Sequence, residues 1–185
     1  MAFHLNIIVF VAASAGIAWI SRSSLGNFRA HGFYRFFAWE SILAILLLNL
    51  GVWFNDPWSI HQIVSWILLC LSLFLVIQGV LLLRGLGKPD SQRNDSSLLG
   101  IEKTTELVTA GVYGYIRHPL YSSLLFLAWG AFFKDPSWAG IILAGLATFT
   151  LRMTAKIEEA ENVRFFGAAY QAYMQRTKKF IPFIF

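Results

Sequence analysis

Residues 111–121, with the sequence GVYGYIRHPLY, have the clearest potential for chemistry in this chain. Proline lacks an N–H group and has a fixed φ, so Pro119 fits the first turn of a helix. The unpaired N–H groups of that turn, together with Arg117 and His118, predict a binding site for a carboxylate or a phosphate. The alternative is that both cations are anchors that face lipid headgroups.

Five apolar segments must position this motif. They cover residues 5–20, 33–54, 60–86, 119–133 and 138–151. Of the 185 residues, 57% are hydrophobic and 14% are charged, and the mean hydropathy of +0.59 is far from that of soluble domains. We therefore predict an all-α, polytopic membrane protein with about five transmembrane helices. Three of the segments are shorter than the roughly 20 residues that a span needs.

Lysine and arginine fall on one side of these predicted spans. If the N-terminus faces outward, 14 of the 15 lie on the inner side, and Lys134 alone lies outside. Cytoplasmic loops are enriched in these residues, so the pattern predicts an N-terminus outside and a C-terminus in the cytoplasm. The topology and the anionic inner lipid account for the net charge of +5, so membrane lipids are expected partners and nucleic acid is not.

The chain divides into three parts. Residues 1–87 hold three transmembrane helices, residues 88–118 form a cytoplasmic loop, and residues 119–185 form a helical hairpin, a protruding last helix and a tail. The loop begins KPDSQRNDSS, which is typical of a mobile surface segment. The helix from Trp138 to Phe166 should be roughly 43 Å long and stop at Gly167. The tail is expected to dock on the membrane surface or to return onto the helices.

Other polar residues in the apolar segments are weaker candidates. No CxxC or HExxH spacing occurs, so no metal site is predicted, and the single cysteine, Cys70, is expected to pack as a small hydrophobe. His31 lies near the end of a span and is expected at the membrane interface. Glu40 is either functional, as intramembrane acids often are, or lies at the inner interface beside Arg35.

Two blocks of residues resemble the family of isoprenylcysteine carboxyl methyltransferases and phospholipid methyltransferases, integral membrane enzymes that use S-adenosylmethionine. The first block follows LVxxGxYxxxRHPxY and consists of Leu107, Val108, Gly111, Tyr113, Arg117, His118, Pro119 and Tyr121. The second follows EExxxxxxFGxxYxxY and a later proline, and consists of Glu158, Glu159, Phe166, Gly167, Tyr170, Tyr173 and Pro182. The blocks flank a helical hairpin of suitable length.

The resemblance implies methyl transfer from S-adenosylmethionine, with S-adenosylhomocysteine as product, to a lipophilic acceptor that enters from the bilayer at a cytoplasmic active site. It implies that Arg117 and His118 hold the methionine carboxylate and its surroundings, and that Tyr121 packs beside it. Glu159, or alternatively Glu158, would face the cofactor. The implied lining of the adenosine pocket is Leu107, Val108, Gly111 and Tyr113.

Two departures from the family pattern are Asn162, where leucine is common, and the sequence Lys178-Lys179-Phe180 in place of a second proline-containing turn. Both are expected to affect the packing of the C-terminal region more than the site.

Two residues of the last long helix are candidates for catalysis. Glu159 is the candidate proton acceptor for an amine or thiol. Arg152, two turns earlier on the same face, could orient an anionic acceptor. Both residues could instead form an exposed pair of little consequence. A prenylated cysteine, a phospholipid amine and a small hydrophobic molecule all remain possible acceptors, and the oligomeric state is open.

Two other classes of protein remain as alternatives. Sterol-type reductases, which use NADPH, look similar around RHPxY but usually carry asparagine at the position of Leu120 and have more spans. A non-catalytic, lipid-binding scaffold would be indifferent to replacement of Glu159 or His118.

Overall fold

The computed structural model describes residues 2–88 and 103–182, without the side chains of residues 2 and 3. The helices are α1 (Ala2–Leu25), α2 (His31–Leu48), α3 (Ile60–Leu86), α4 (Pro119–Phe132), α5 (Trp138–Phe166) and α6 (Ala168–Arg176), with short 3-10 turns at Leu50–Val52 and Gly111–Gly114. The prediction of an all-α fold is confirmed for these residues. Most of the predicted mobile loop, with Arg93, and the tail residues Phe183 and Phe185 lie outside them.

The helices agree with a polytopic membrane protein. In the part of the chain that the structure describes, α1, α2, α3 and α5 are long and apolar enough to cross a membrane, whereas α4 is apolar but has only 14 residues. The first helix has 24 residues and is therefore longer than the apolar segment that predicted it. The side of the membrane that each end faces stays a prediction.

Small residues hold the helices close together. Ala38 of α2 and Ala144, Ala147 and Ala155 of α5 are completely buried where these two helices pack. Such residues allow the close backbone approach that stabilises helix pairs in membranes. This pairing places the polar end of α5 beside the beginning of α2.

Serine hydroxyls join α3 to α4. Ser65 Oγ donates a hydrogen bond to the carbonyl of Gly130 at 2.6 Å, and Ser72 Oγ donates to that of Ser123 at 2.7 Å. In an apolar setting these bonds satisfy polar groups that water cannot reach. The position of α4, and of the motif before it, is therefore set largely by α3.

Lys134 lies in the turn between α4 and α5, at the end of the bundle away from the start of α4. It is buried, although the sequence analysis predicts an outer turn there. Its Nζ atom lies 3.0 Å from Gln62 Oε1 and 3.3 Å from the centroid of the Trp66 ring. Burial lowers the pKa of Lys134. The side chain thus ties the turn after α4 to the start of α3.

The segment after α6 returns onto the helices, which decides between the two predictions for the tail. The N–H of Lys178 donates to the carbonyl of Tyr115 at 3.0 Å, and the N–H groups of Arg117 and His118 donate to the carbonyls of Lys178 and Lys179 at 2.8 and 3.2 Å. These bonds fix the backbone before α4. The helix starts at Pro119 and α5 stops at Gly167, where φ is +61°, as predicted.

Candidate functional site

A cavity lies where the end of α3, the segment before α4 and the polar end of α5 meet. The empty space in this cavity, counted together with its open mouth, is about 570 Å³. Seven residues predicted from the sequence line it: Leu107, Val108, Tyr113, Arg117, His118, Tyr121 and Glu158.

Glu159 stands beside the cavity and contacts two cationic side chains and a histidine. Its Oε1 atom is 2.8 Å from Arg117 Nε and 3.3 Å from His118 Nε2, and its Oε2 atom is 2.8 Å from Lys179 Nζ. Arg117 also donates to the main-chain carbonyls of Met174 and Thr177. Because one buried carboxylate meets three basic groups, this part of the site is suited to a further anion.

Glu158 is the carboxylate that lines the cavity itself. Tyr121 donates its hydroxyl to Glu158 Oε2, and the Tyr121 ring stacks on that of His118 with centroids 5.4 Å apart. Successive helical residues point about 100° apart, so Glu158 and Glu159 face different surroundings. The sequence analysis preferred Glu159 as the residue that faces the cofactor. In the structure, Glu158 lines the cavity and Glu159 lies beside it.

Aromatic rings from the end of α5 and from α6 form another wall. Phe166, Tyr170 and Tyr173 line the cavity, and the Tyr173 hydroxyl donates to the carbonyl of Tyr113 at 2.7 Å. Burial raises the pKa of Tyr170 and Tyr173, and the charge of Glu158 adds to this for Tyr170. Both rings therefore keep neutral hydroxyl groups at physiological pH and offer faces on which a purine can stack.

Both departures from the family pattern lie beside the cavity as well as in the packing of the C-terminal region. Asn162 lines the cavity and its side chain hydrogen-bonds Tyr170. Lys179 contacts Glu159 through its side chain, and its main-chain carbonyl accepts a hydrogen bond from the N–H of His118. No local pattern marks Lys179, because it follows α6 and its partner lies twenty residues earlier, in α5.

Besides Glu159, two predicted site residues do not line the cavity. Gly111 has a φ of +57°, and a Cβ atom there would lie 2.8 Å from Leu82 Cδ1, so the glycine permits the tight turn that carries Tyr113. Arg152 is on an exposed face of α5. The roles predicted for these two residues stay predictions.

The sequence analysis missed a charged contact between α2 and α5. His31 is fully buried, not interfacial, and its Nδ1 atom lies 2.6 Å from Glu161 Oε2. Arg35, one turn later on α2, is also buried. Glu40, by contrast, accepts a 2.6 Å hydrogen bond from Ser14 of α1. The spacing of four between His31 and Arg35 was the available signal, since it places both on one helix face.

Residues 60–169, from the start of α3 to the start of α6, match the family model described as phospholipid methyltransferase. A Schizosaccharomyces pombe protein named Protein-S-isoprenylcysteine O-methyltransferase is 36% identical over 81 residues, which are 42% of this chain and 34% of the relative. The matched part thus spans about a third of that relative. No solved structure gives a significant match.

Proposed function

This chain belongs to the phospholipid methyltransferase family, and from that premise we propose that it transfers a methyl group from S-adenosylmethionine to a lipophilic acceptor. One observation carries the proposal: the cavity joins Arg117 and His118, at the start of α4, to Glu158 and an aromatic wall. The matched residues 60–169 include Arg117, His118 and Glu158.

The groups around the cavity fit the chemistry of this methyl donor. Arg117, His118 and the positive end of the α4 dipole suit its methionine carboxylate. The rings of Phe166 and Tyr170 suit its adenine. The carboxylate of Glu158 suits its positively charged sulfonium.

We propose that Glu159 holds Arg117 and His118 in place while Glu158 faces the donor. The donor supplies an electrophilic methyl group, which a nucleophile displaces in line. The chain's residues orient the two partners and exclude water, as such a displacement requires. An aromatic face near the sulfonium would add a cation–π contribution of about 1 kcal/mol. A proton released by an amine or thiol acceptor would pass to Glu158.

The acceptor is proposed to be lipophilic and to enter from the bilayer. The description of the family names a phospholipid, and the name of the yeast relative contains S-isoprenylcysteine. Both acceptors combine a polar reactive group with a long apolar part. Arg152, on the exposed face of the polar end of α5, is proposed to orient an anionic acceptor. We place the site on the cytoplasmic side, in keeping with the distribution of basic residues.

The test is calorimetric titration of the purified full-length protein in detergent with S-adenosylmethionine, S-adenosylhomocysteine and NADPH. We expect binding of the first two and none of NADPH. Methyl-labelled donor is then incubated with a panel of phospholipids and prenylcysteine analogues, and label is expected in an extractable lipid product. Binding of NADPH alone would favour a reductase, and binding of none of the three would favour a scaffold.

A further inference from the structure

Helices α2 and α5 bring two pairs of charged residues together at the end near the cavity. His31 and Arg35 are four residues apart and share one face of α2, and Glu158 and Glu161 are three apart and share one face of α5. His31 and Arg35 are both almost completely buried. Two buried basic residues of one helix therefore meet two partly exposed acids of the other.

The contacts of this cluster extend from the protein surface to the cavity wall. His31 Nδ1 is 2.6 Å from Glu161 Oε2, whose side chain is 18% exposed, and His31 Nε2 has no hydrogen-bond partner among the described residues. Both His31 and Arg35 interact electrostatically with Glu158. The cluster thus connects a partly exposed acid at one end to the acid of the cavity wall at the other.

Glu158 needs such neighbours, because a carboxylate removed from water stays charged only when cations and hydrogen-bond donors compensate for the lost hydration. The other ionisable groups that face it are His118, immediately before α4, Tyr121 of α4 and Tyr170 of α6. His118 also binds Glu159. The compensation of Glu158 is therefore shared between His118 and the basic residues of α2, His31 and Arg35.

We propose that His31 and Arg35 are positioning residues that keep Glu158 charged and oriented at the cavity wall, so that α2 is part of the methyl-donor site. This inference rests on the proposed function. It extends the site beyond residues 60–169, because α2 lies before the segment that matches the family.

The test compares the dissociation constants of S-adenosylmethionine and S-adenosylhomocysteine, which differ by one methyl group and the positive charge on sulfur. We expect Glu158→Gln to lower the preference for the charged compound about tenfold, as the loss of one nearby opposite charge would. In a His31→Gln background the same Glu158→Gln change should lower it by only about threefold, because Glu158 is then less fully held charged and less well oriented.

His61→Gln is the matched control background. His61 lies at the start of α3, away from the cavity, where its Nδ1 atom is 2.9 Å from the carbonyl oxygen of Phe133. In this background Glu158→Gln should retain its full tenfold effect. A merely structural role of His31 would weaken both ligands equally, and would leave the effect of Glu158→Gln unchanged.

An equal tenfold loss in the His31→Gln background, or no effect of Glu158→Gln in the unmodified protein, would overturn the inference. If His31→Gln does not fold, Glu161→Gln serves as the background, since Glu161 is partly exposed and its loss removes the partner of His31. Failure of the unmodified protein to bind either ligand would instead refute the proposed function.

Discussion

Glu159 is the residue on which the geometry of the RHP motif depends most. It is buried and contacts Arg117, His118 and Lys179 with one carboxylate. We predict that Glu159→Gln lowers the free energy of unfolding by about 3 kcal/mol, because it leaves Arg117 and Lys179 without their counter-charge. The measurement is the midpoint of thermal unfolding in detergent, together with the affinity for S-adenosylhomocysteine, which should also fall.

Glu106→Gln is the control for this prediction. Glu106 Oε1 lies 2.6 Å from Lys88 Nζ, but both side chains are more than half exposed. Exposed ion pairs contribute at most about 1 kcal/mol, so this change should leave the unfolding midpoint almost unaltered. Equal effects of the two substitutions would contradict the structural role assigned to Glu159.

At the residue scale the sequence predicted which residues belong to the site better than what each one contacts. Arg117, His118 and the Glu158–Glu159 pair could be found because they lie within short motifs. The choice between Glu158 and Glu159 depends on the rotation of α5 against α2 and α4, which no local pattern encodes. His31 looked like an ordinary residue at the end of a span, since its partner is 130 positions away.

At the scale of elements, the packing of α4 on α3 sets the position of the motif. A Cβ atom on Gly130 would lie 3.0 Å from Leu69 Cγ and 3.3 Å from the Leu69 main-chain nitrogen. Because backbone cannot yield as a side chain can, we predict that Gly130→Ala costs about 1 to 3 kcal/mol of stability. Thermal unfolding in detergent measures this, and S-adenosylhomocysteine affinity should fall as α4 shifts.

Gly145→Ala is the matched control in a helix of the same bundle. No atom lies within 4 Å of a Cβ built on Gly145. Alanine has the higher helix propensity, so this change should be neutral or raise stability by up to about 1 kcal/mol. If Gly130→Ala proved equally harmless, the close approach of α3 and α4 would not be important for stability.

Helix boundaries were predictable where a residue enforces them locally. Pro119 starts α4, Gly167 stops α5, and Ser137 caps α5 by accepting a hydrogen bond from the N–H of Gly140. The end of α2 was predicted too late, at residue 54 instead of Leu48. There Asn49 donates its side-chain amide to the carbonyl of Ala131 at 2.8 Å, a tertiary contact that sequence periodicity cannot reveal.

At the scale of the whole molecule, the cavity and most of the described basic residues share one end of the bundle. Arg84 lies in the last turn of α3, Lys88 follows that helix and Arg117 precedes α4. The polar end of α5 and all of α6 lie beside them. The buried Lys134 lies at the other end, beside the start of α3. The charge asymmetry read from the sequence is therefore an asymmetry of the folded bundle.

This asymmetry predicts the orientation in the membrane, because lysine and arginine are retained on the cytoplasmic side. In a Cys70→Ser background, Asn55→Cys places a thiol in the turn between α2 and α3, and Gln175→Cys places one near the end of α6. Both positions are exposed. We expect a membrane-impermeant maleimide applied to intact cells to label Asn55→Cys at once and Gln175→Cys only after permeabilisation. The reverse pattern would place the cavity on the outer side and contradict this prediction.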